Sequence, residues 1–458
     1  MSADYDVIVL GGGSAGSSAA GAAHDAGAST LMINDGELGG LCILRGCMPT
    51  KSMLAAAHAI HEAQHLEPFG ARLTGRVEVD FAAIAARKDA HVARFKRAKV
   101  EVIEAAGYEV LDARGRFVEP GVVEAAGRRL RAGKFVIATG SVPASLPIPG
   151  LDDVPVWTSD DVMQLTTAPQ RLIVQGAGPI GLELAQFFAR IGTQVLLVNR
   201  SALLSKMDAE SGVELRAALD EEPNLRIVVP GRIERLVRDG NGLRAVMAAG
   251  DESLEESADA LLMAVGRDSA YDGIGLESVG LRVDGGGLAH DDHMRTANPD
   301  IYVAGDVTGR DQILHLANEE GRIAGHNATG GSPRALEGRL KISEIFTDPP
   351  FAVVGLSEQA ARGHGLDIVV GRERFPETGR AITMGARHGL WKLIADRKSG
   401  EILGSSILGP RADDLIHVLS TLMRYRGTAA DILDLPWYHP TLSEVLLNVA
   451  RDIEKQRT

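Results

Sequence analysis

Val7-Ile8-Val9-Leu10-Gly11-Gly12-Gly13-Ser14-Ala15-Gly16 is a short apolar run that breaks into glycines and then into small, helix-compatible residues. Four consecutive apolar residues read as a strand buried on both faces. The glycine spacing allows a tight turn and a close backbone approach to a pyrophosphate at the N-terminus of the next helix. A second copy lies about 165 residues later: Leu172-Ile173-Val174-Gln175 precedes Gly176-Ala177-Gly178-Pro179-Ile180-Gly181. One glycine fingerprint is weak, but each copy here follows a strand and opens a helix, the context that gives it meaning.

Outward from these units, apolar runs alternate with helical stretches, as in parallel α/β sheets. Tyr5–Leu10, Ser29–Ile33, Phe135–Thr139, Leu172–Gln175, Gln194–Val198, Ala260–Val265 and Ile301–Ala304 read as buried strands. The Pro-rich stretch Pro143–Pro155 reads as a crossing between the two units, and Thr329–Pro333 as a further boundary. Lys341–Thr458 mixes strand and helix patterns without a glycine fingerprint, which suggests an α+β domain. The expected fold class is α/β, with two Rossmann-like dinucleotide-binding domains and a C-terminal α+β domain. The expected bounds are 1–150, 151–270, a central segment 271–335 that completes the first site, and 336–458.

Between the first unit and a long helical stretch stands Gly39-Gly40-Leu41-Cys42-Ile43-Leu44-Arg45-Gly46-Cys47-Met48-Pro49-Thr50-Lys51, which holds the only two cysteines in 458 residues. Five residues of regular helix rise about 7.5 Å, beyond the roughly 7 Å Cα separation that a disulfide tolerates. Cys42 and Cys47 can bond only across a bend, and Gly46 can supply it. Pro49 suits the first turn of a helix from about Pro49 to His65. Cys47 would then sit at a positive helix end, where a thiolate is favoured. No further cysteines complete a metal site. Two thiols in a chain of this length suit a reducing cytoplasm and a catalytic disulfide rather than a structural one.

Composition narrows the alternatives. Charged residues make up 24% and hydrophobic ones 45%, a balance that fits a globular protein with ample core. The net charge of −13 argues against nucleic acid and against an anionic membrane surface as partners. No apolar run approaches the roughly 18 residues of a membrane span. Met1–Asp6 is acidic and leads straight into a strand, so no signal peptide is expected and the expected location is cytoplasmic.

The acid that normally holds a ribose after the second strand is absent from both units. Asn34 stands there in the first, followed by Asp35 and Glu37. Asn199 stands there in the second, followed by Arg200 and, six positions on, Lys206. A cation without a carboxylate favours a 2′-phosphate, hence NADP(H) over NAD(H). Near the C-terminus, His439-Pro440-Thr441-Leu442-Ser443-Glu444 offers a titratable imidazole and a carboxylate, a potential acid–base dyad. Thr441-x-x-Glu444 is equally a capping box for a helix over Leu442–Ile453. His58, His61 and His65 share one helix face and read as a polar surface, as does the basic stretch Arg94–Lys99.

Taken together, these motifs resemble the pyridine-nucleotide disulfide oxidoreductases of the dihydrolipoamide dehydrogenase, glutathione reductase and mercuric reductase group. The resemblance spans essentially the full chain. Besides the two fingerprints and the cysteine motif, it rests on Ala138-Thr139-Gly140-Ser141, Ala264-Val265-Gly266-Arg267, Ala304-Gly305-Asp306, Phe346-Thr347-Asp348-Pro349 with Val354-Gly355-Leu356, and His439–Glu444. It implies FAD at Gly11, Gly13, Gly16, Asn34, Gly140 and Asp306, and a nicotinamide cofactor at Gly176, Gly178 and Gly181, with Gly266 and His315 in the cofactor set. It implies Lys51 near the flavin and paired with Glu183, Cys47 as the thiolate facing the flavin, and Cys42 exchanging with substrate. His439, held by Glu444, would serve the disulfide of a second subunit, hence a homodimer joined through the C-terminal domain.

Departures from the family pattern refine this. The lack of an extra N-terminal metal-binding domain and of a C-terminal cysteine pair, with His439 present, counts against mercuric reductase. Gly21-Ala22-Ala23 replaces an arginine that helps hold glutathione. Asn199 replaces the acid usual in NAD-using dihydrolipoamide dehydrogenases, and Asp268-Ser269 replaces a common Pro-Asn. The expected activity is electron exchange between NAD(P)H, FAD and a small lipoamide-type dithiol or disulfide, with no metal. Rival readings are a reductase of another small disulfide, a flavin reductase acting on quinones, and a non-catalytic flavoprotein subunit.

Overall fold

The computed structural model describes residues Ala3–Thr458. It divides into two compact units. One comprises Met1–Ser52, Ala85–Ala144 and Gly266–Arg339; the other comprises Met53–Ile84, Ser145–Val265 and Leu340–Thr458.

In the first unit, Tyr5–Leu10 is the centre of a parallel sheet. Thr30–Asn34 and then Glu109–Asp112 lie on one side of it, and Arg128–Ile137 and then Ile301–Val303 on the other. Val7, Ile8 and Val9 are fully buried, which explains the absence of polar alternation in that strand. Each such side chain contributes about 1.5–3 kcal/mol on burial. The strand expected over Phe135–Thr139 is the end of the longer Arg128–Ile137, whose first half pairs antiparallel with Val122–Ala125. Helix Ser14–Asp25 packs tightly on helix Leu314–Ala328 because the latter carries glycines at the crossing. A Cβ on Gly321 would come within 2.2 Å of Ala15 O, and one on Gly325 within 2.1 Å of Ala19 O.

The second unit holds another parallel sheet, in the order Leu225–Val228, Gln194–Val198, Arg171–Gln175, Ala260–Met263, Val156–Trp157. A three-stranded antiparallel sheet over Gly231–Asp239, Gly242–Ala249 and Glu252–Ala258 adjoins it. The C-terminal part is a five-stranded antiparallel sheet, in the order Ile342–Ile345, Phe351–Gly355, Ile402–Leu408, Leu390–Asp396, Ile368–Arg374. Helices Ala412–Arg424 and Val445–Arg457 pack on it. Trp391 anchors that core, stacked on Phe375 at 6.0 Å with its indole N–H on Ser405 Oγ at 3.1 Å. Among the described residues no helix is long and apolar enough to cross a membrane.

Candidate active site

The first glycine loop is built by steric exclusion. A Cβ on Gly16 would lie 1.8 Å from Gly11 O, and Gly11 itself has φ +110° with Ala138 O 2.3 Å from its Cβ position. Only glycine allows that closeness and that left-handed turn. Helix Ser14–Asp25 begins at Gly13 with no side-chain cap hydrogen bond, so its first-turn N–H groups face the glycine loop. The second loop repeats the device. A Cβ on Gly181 would meet Gly176 O at 1.9 Å, and Gly178 precedes helix Pro179–Arg190 without a side-chain cap. Both loops fit a pyrophosphate.

Asn34 and Asn199 occupy equivalent positions and do equivalent work. Asn34 Oδ1 accepts the N–H of Gly12 at 2.8 Å, and its amide donates to Gly36 O at 2.7 Å. Asn199 Oδ1 accepts the N–H of Ala177 at 3.3 Å, and its amide donates to Ser201 O at 2.6 Å. Each side chain clamps its glycine loop to the end of the second strand. Glu37 is engaged by Lys96 at 2.6 Å. Arg200 and Lys206 are exposed, and among the described residues no carboxylate pairs with either.

The cysteine motif folds as two helices across a bend. Cys42 lies in the short helix Gly40–Leu44, and Cys47 is the first residue of helix Cys47–Gln64, two residues earlier than the expected start. Gly46 allows the two segments to close. A Cβ there would sit 3.3 Å from Cys42 Cα and 3.0 Å from Leu41 O. Cys42 is half-buried and Cys47 exposed. The hydrogen bond between the two thiols, and then burial, hold the Cys42 pKa far above the ordinary thiol range. Gly40 seats the motif on the first fingerprint, its Cβ position 2.7 Å from Gly13 Cα.

Lys51 rides on the helix that starts at Cys47. Its neighbour Ser52 is buried and fastened by helix Phe81–Ala105. Arg87 donates to Ser52 O at 2.9 Å, and His91 Nδ1 lies 2.9 Å from Ser52 Oγ.

Asp306 opens a one-turn helix after strand Ile301–Val303, and its carboxylate accepts Ser141 Oγ–H at 2.6 Å. Arg267 donates to Ser141 Oγ and O, both at 2.8 Å. Gly140, with φ +79°, and Gly266, with φ +124°, bracket this network in the chain. Glu320 is an unforeseen member of this neighbourhood. Fully buried, it accepts the Gly305 N–H at 2.7 Å and pairs with Arg339 at 2.8 Å, while burial raises its pKa. An acid at an apolar position of a helix beginning near His315 is the signal that could have revealed it. His315 is exposed at the start of that helix.

In the second unit, Glu183 is buried on the fingerprint helix and accepts the N–H of Phe346 at 3.0 Å. His439 Nδ1 lies 2.9 Å from Glu444 Oε2, with the imidazole itself 78% exposed. Glu444 also accepts the Thr441 N–H at 3.4 Å, while its own N–H donates to Thr441 Oγ1 at 3.3 Å. The dyad and the capping box coexist. They precede helix Val445–Arg457, which starts three residues later than expected because the box residues themselves are turned out of the helix.

Two stretches read as polar surface also carry specific ion pairs and hydrogen bonds. His58 bridges Asp348 at 3.3 Å and Glu62 at 3.2 Å, and its pKa is raised chiefly by the Asp348 hydrogen bond. Arg190 pairs with Glu222 at 2.7 Å and Asp348 at 2.9 Å. His61 stacks on His65 at 4.1 Å, and burial, then Arg190, push its pKa down to about 4. Among the described residues no group of three or more His, Cys, Asp or Glu is placed to hold a metal ion. In the basic stretch, Lys96 pairs with Glu37 and Lys99 donates to Ser17 Oγ at 2.8 Å.

Comparison with known proteins identifies the family. The family described as pyridine nucleotide-disulphide oxidoreductase matches residues 5–321, and its dimerisation domain matches residues 343–450. A dihydrolipoyl dehydrogenase of Thermus scotoductus is 34% identical over 99% of this chain and 98% of its own length. A mercuric reductase of Bacillus cereus is 32% identical over 99% of this chain and 72% of its own. Among solved structures, the Cu(II) complex of the HOCl-induced flavoprotein disulfide reductase RclA from Escherichia coli superposes with a TM-score of 0.85. It is 26% identical, and the match covers 97% of this chain and 99% of that one. The family binds FAD and pyridine nucleotides. With full-length relatives and both domains matched, this chain belongs to the pyridine nucleotide-disulphide oxidoreductase family.

Proposed function

We propose that the protein is an FAD-dependent NAD(P)H:disulfide oxidoreductase that exchanges electrons with a small lipoamide-type dithiol or disulfide through Cys42 and Cys47. The observation that carries this reading is the pair of adjacent thiols folded across Gly46 and seated on the first glycine loop. FAD, when bound, supplies a two-electron relay between a nicotinamide and the cysteine pair. The uncapped helix starts after Gly13 and after Gly178 would hold the two pyrophosphates, with Asp306 and Lys51 toward the flavin.

The cysteines do the sulfur chemistry. Because Cys42 keeps its proton, its attack on a substrate disulfide needs a base, and His439, oriented by Glu444, is that base. Cys42 bonds to one substrate sulfur and releases the other as a thiolate, which takes the proton back from His439. The Cys47 thiolate then attacks the Cys42 sulfur, the second substrate sulfur leaves as a thiolate, and the Cys42–Cys47 disulfide closes. Oxidation of a dithiol is the same sequence reversed. The exposed imidazole of His439 suits presentation to a second copy across a homodimer.

A second reading, an NADPH-dependent reductase of a different small disulfide, is favoured by the exposed cations Arg200 and Lys206, which suit a 2′-phosphate. Anaerobic reduction with NADH and NADPH, followed by reoxidation with lipoamide and glutathione disulfide, separates the two. Reduction preferring NADPH and reoxidation by lipoamide are expected. Turnover that survives Cys42→Ser overturns both readings.

A further inference from the structure

Glu320 is a fully buried acid on helix Leu314–Ala328, and the sulfur chemistry makes no use of it. Burying a carboxylate is costly unless it is paired and hydrogen-bonded. Here Oε2 accepts the Gly305 N–H at 2.7 Å, and Oε1 lies 2.8 Å from Arg339 Nη2. The next carboxylate to Arg339, that of Asp311, is 4.0 Å away. Both partners of Glu320 are donors, so the charged form is the one they accept, against the burial that raises its pKa.

The turn it holds carries Asp306. Gly305 sits at φ +80° and ψ −157°, and a Cβ there would come 2.9 Å from the Cβ of Ala15 on the first fingerprint helix. Ser141 Oγ donates to the Asp306 carboxylate at 2.6 Å, and Ser269 Oγ donates to Asp306 O at 3.1 Å. Those hydroxyls hold Asp306 itself, whereas Glu320 holds the backbone N–H just before it. The next residue, Gly321, lies against Ala15 O, where a Cβ would come within 2.2 Å. The carboxylate therefore reaches the turn from a helix already packed on the fingerprint helix.

We infer that Glu320 is a positioning residue for the flavin half of FAD. By accepting the Gly305 N–H it sets how Asp306 is presented, while the fingerprint glycines hold the pyrophosphate without its help. The inference rests on the proposed FAD site, with Asp306 toward the flavin. What the turn needs is an acceptor facing Gly305; Arg339 makes a charged acceptor tolerable at that depth.

The test removes the buried charge pair in two double variants and varies only the acceptor. Glu320→Gln with Arg339→Met keeps an amide oxygen for the Gly305 N–H, and Glu320→Met with Arg339→Met keeps none. Neither leaves one member of the ion pair buried alone, and replacing a whole buried pair by uncharged groups of similar volume costs little stability. Full-length protein stripped of flavin is titrated with FAD by flavin fluorescence. ADP, which has the pyrophosphate but no flavin, is measured as a competitor of FAD. The first variant is expected to bind FAD within about twofold of the unmodified protein, and the second about tenfold more weakly, with ADP affinity unchanged in both. Equal FAD affinity in the two variants, or ADP weakened in the same proportion as FAD, overturns the inference. Unmodified protein that takes up no FAD overturns the cofactor reading itself, and the inference with it.

Discussion

Glu444 holds His439 Nδ1 at 2.9 Å while accepting the Thr441 N–H at 3.4 Å, so one carboxylate orients an imidazole and closes the turn that leads into a helix. The two duties separate by substitution. Glu444→Gln keeps an oxygen for the Thr441 N–H and should leave the thermal midpoint nearly unchanged, because glutamine serves in a capping box. A neutral amide cannot support an imidazolium, so on the proposed mechanism turnover drops on the order of 100-fold. Glu444→Ala should lose the same activity and also about 1 kcal/mol of stability. Equal turnover in Glu444→Gln and the unmodified protein would remove His439 from the chemistry.

The hydrogen bond to Cys47 is the first reason Cys42 keeps its proton. Cys47→Ala removes the acceptor and should lower the Cys42 pKa toward the range that burial alone sets. Alkylation of Cys42 by iodoacetamide at neutral pH should then quicken, about tenfold for each pKa unit recovered. Slower labelling would mean that Cys47 activates its neighbour instead.

The two glycine loops are sterically alike and should fail differently. Gly16→Ala drives a methyl into Gly11 O, so the purified protein should lose its yellow flavin absorbance. Gly181→Ala does the same at Gly176 O and should leave flavin content intact while raising the KM for the nicotinamide. Flavin loss in Gly181→Ala alone would reverse the assignment.

Lys392 is buried between Asp208 at 2.9 Å, Glu210 at 2.6 Å and Glu358 at 3.3 Å, joining the second nucleotide-type sheet's helix cap to the C-terminal sheet. Burial would raise Asp208, but Ser406 and Lys392 outweigh it and its pKa is lowered. A carboxylate so depressed adds stability above its unfolded pKa and loses it as pH falls through the folded one. Lys392→Met leaves Asp208 buried and unpaired, at a cost of about 3–5 kcal/mol near pH 7. The deficit should shrink as acid protonates Asp208. Thermal midpoints at pH 7 and at about pH 3 check this, and a gap that widens in acid would contradict it.

Much of this was legible in the residues, for a local reason. A strand buried on both faces must be apolar throughout, and a turn that admits no Cβ must be glycine. Val7–Leu10, Gly11–Gly16 and Gly176–Gly181 could therefore be read without knowing their surroundings. The cysteine bend followed from the same short-range geometry at Gly46. Helix starts were less exact, because Cys47 and Val445 begin their helices according to which backbone groups their neighbours have already satisfied.

What tertiary structure alone decided concerns polar side chains whose partners are distant in sequence. Asn34 and Asn199 become loop clamps, Glu320 reaches Gly305, and Lys392 meets Asp208 only because separate elements fold together. Lys99 reads as surface in a basic run, and only the packing of its helix on Ser17 makes it a half-buried cation. Apolar and glycine patterns record what a position excludes, which sequence carries by itself; a polar group's role depends on which partner arrives, and only the folded chain supplies that.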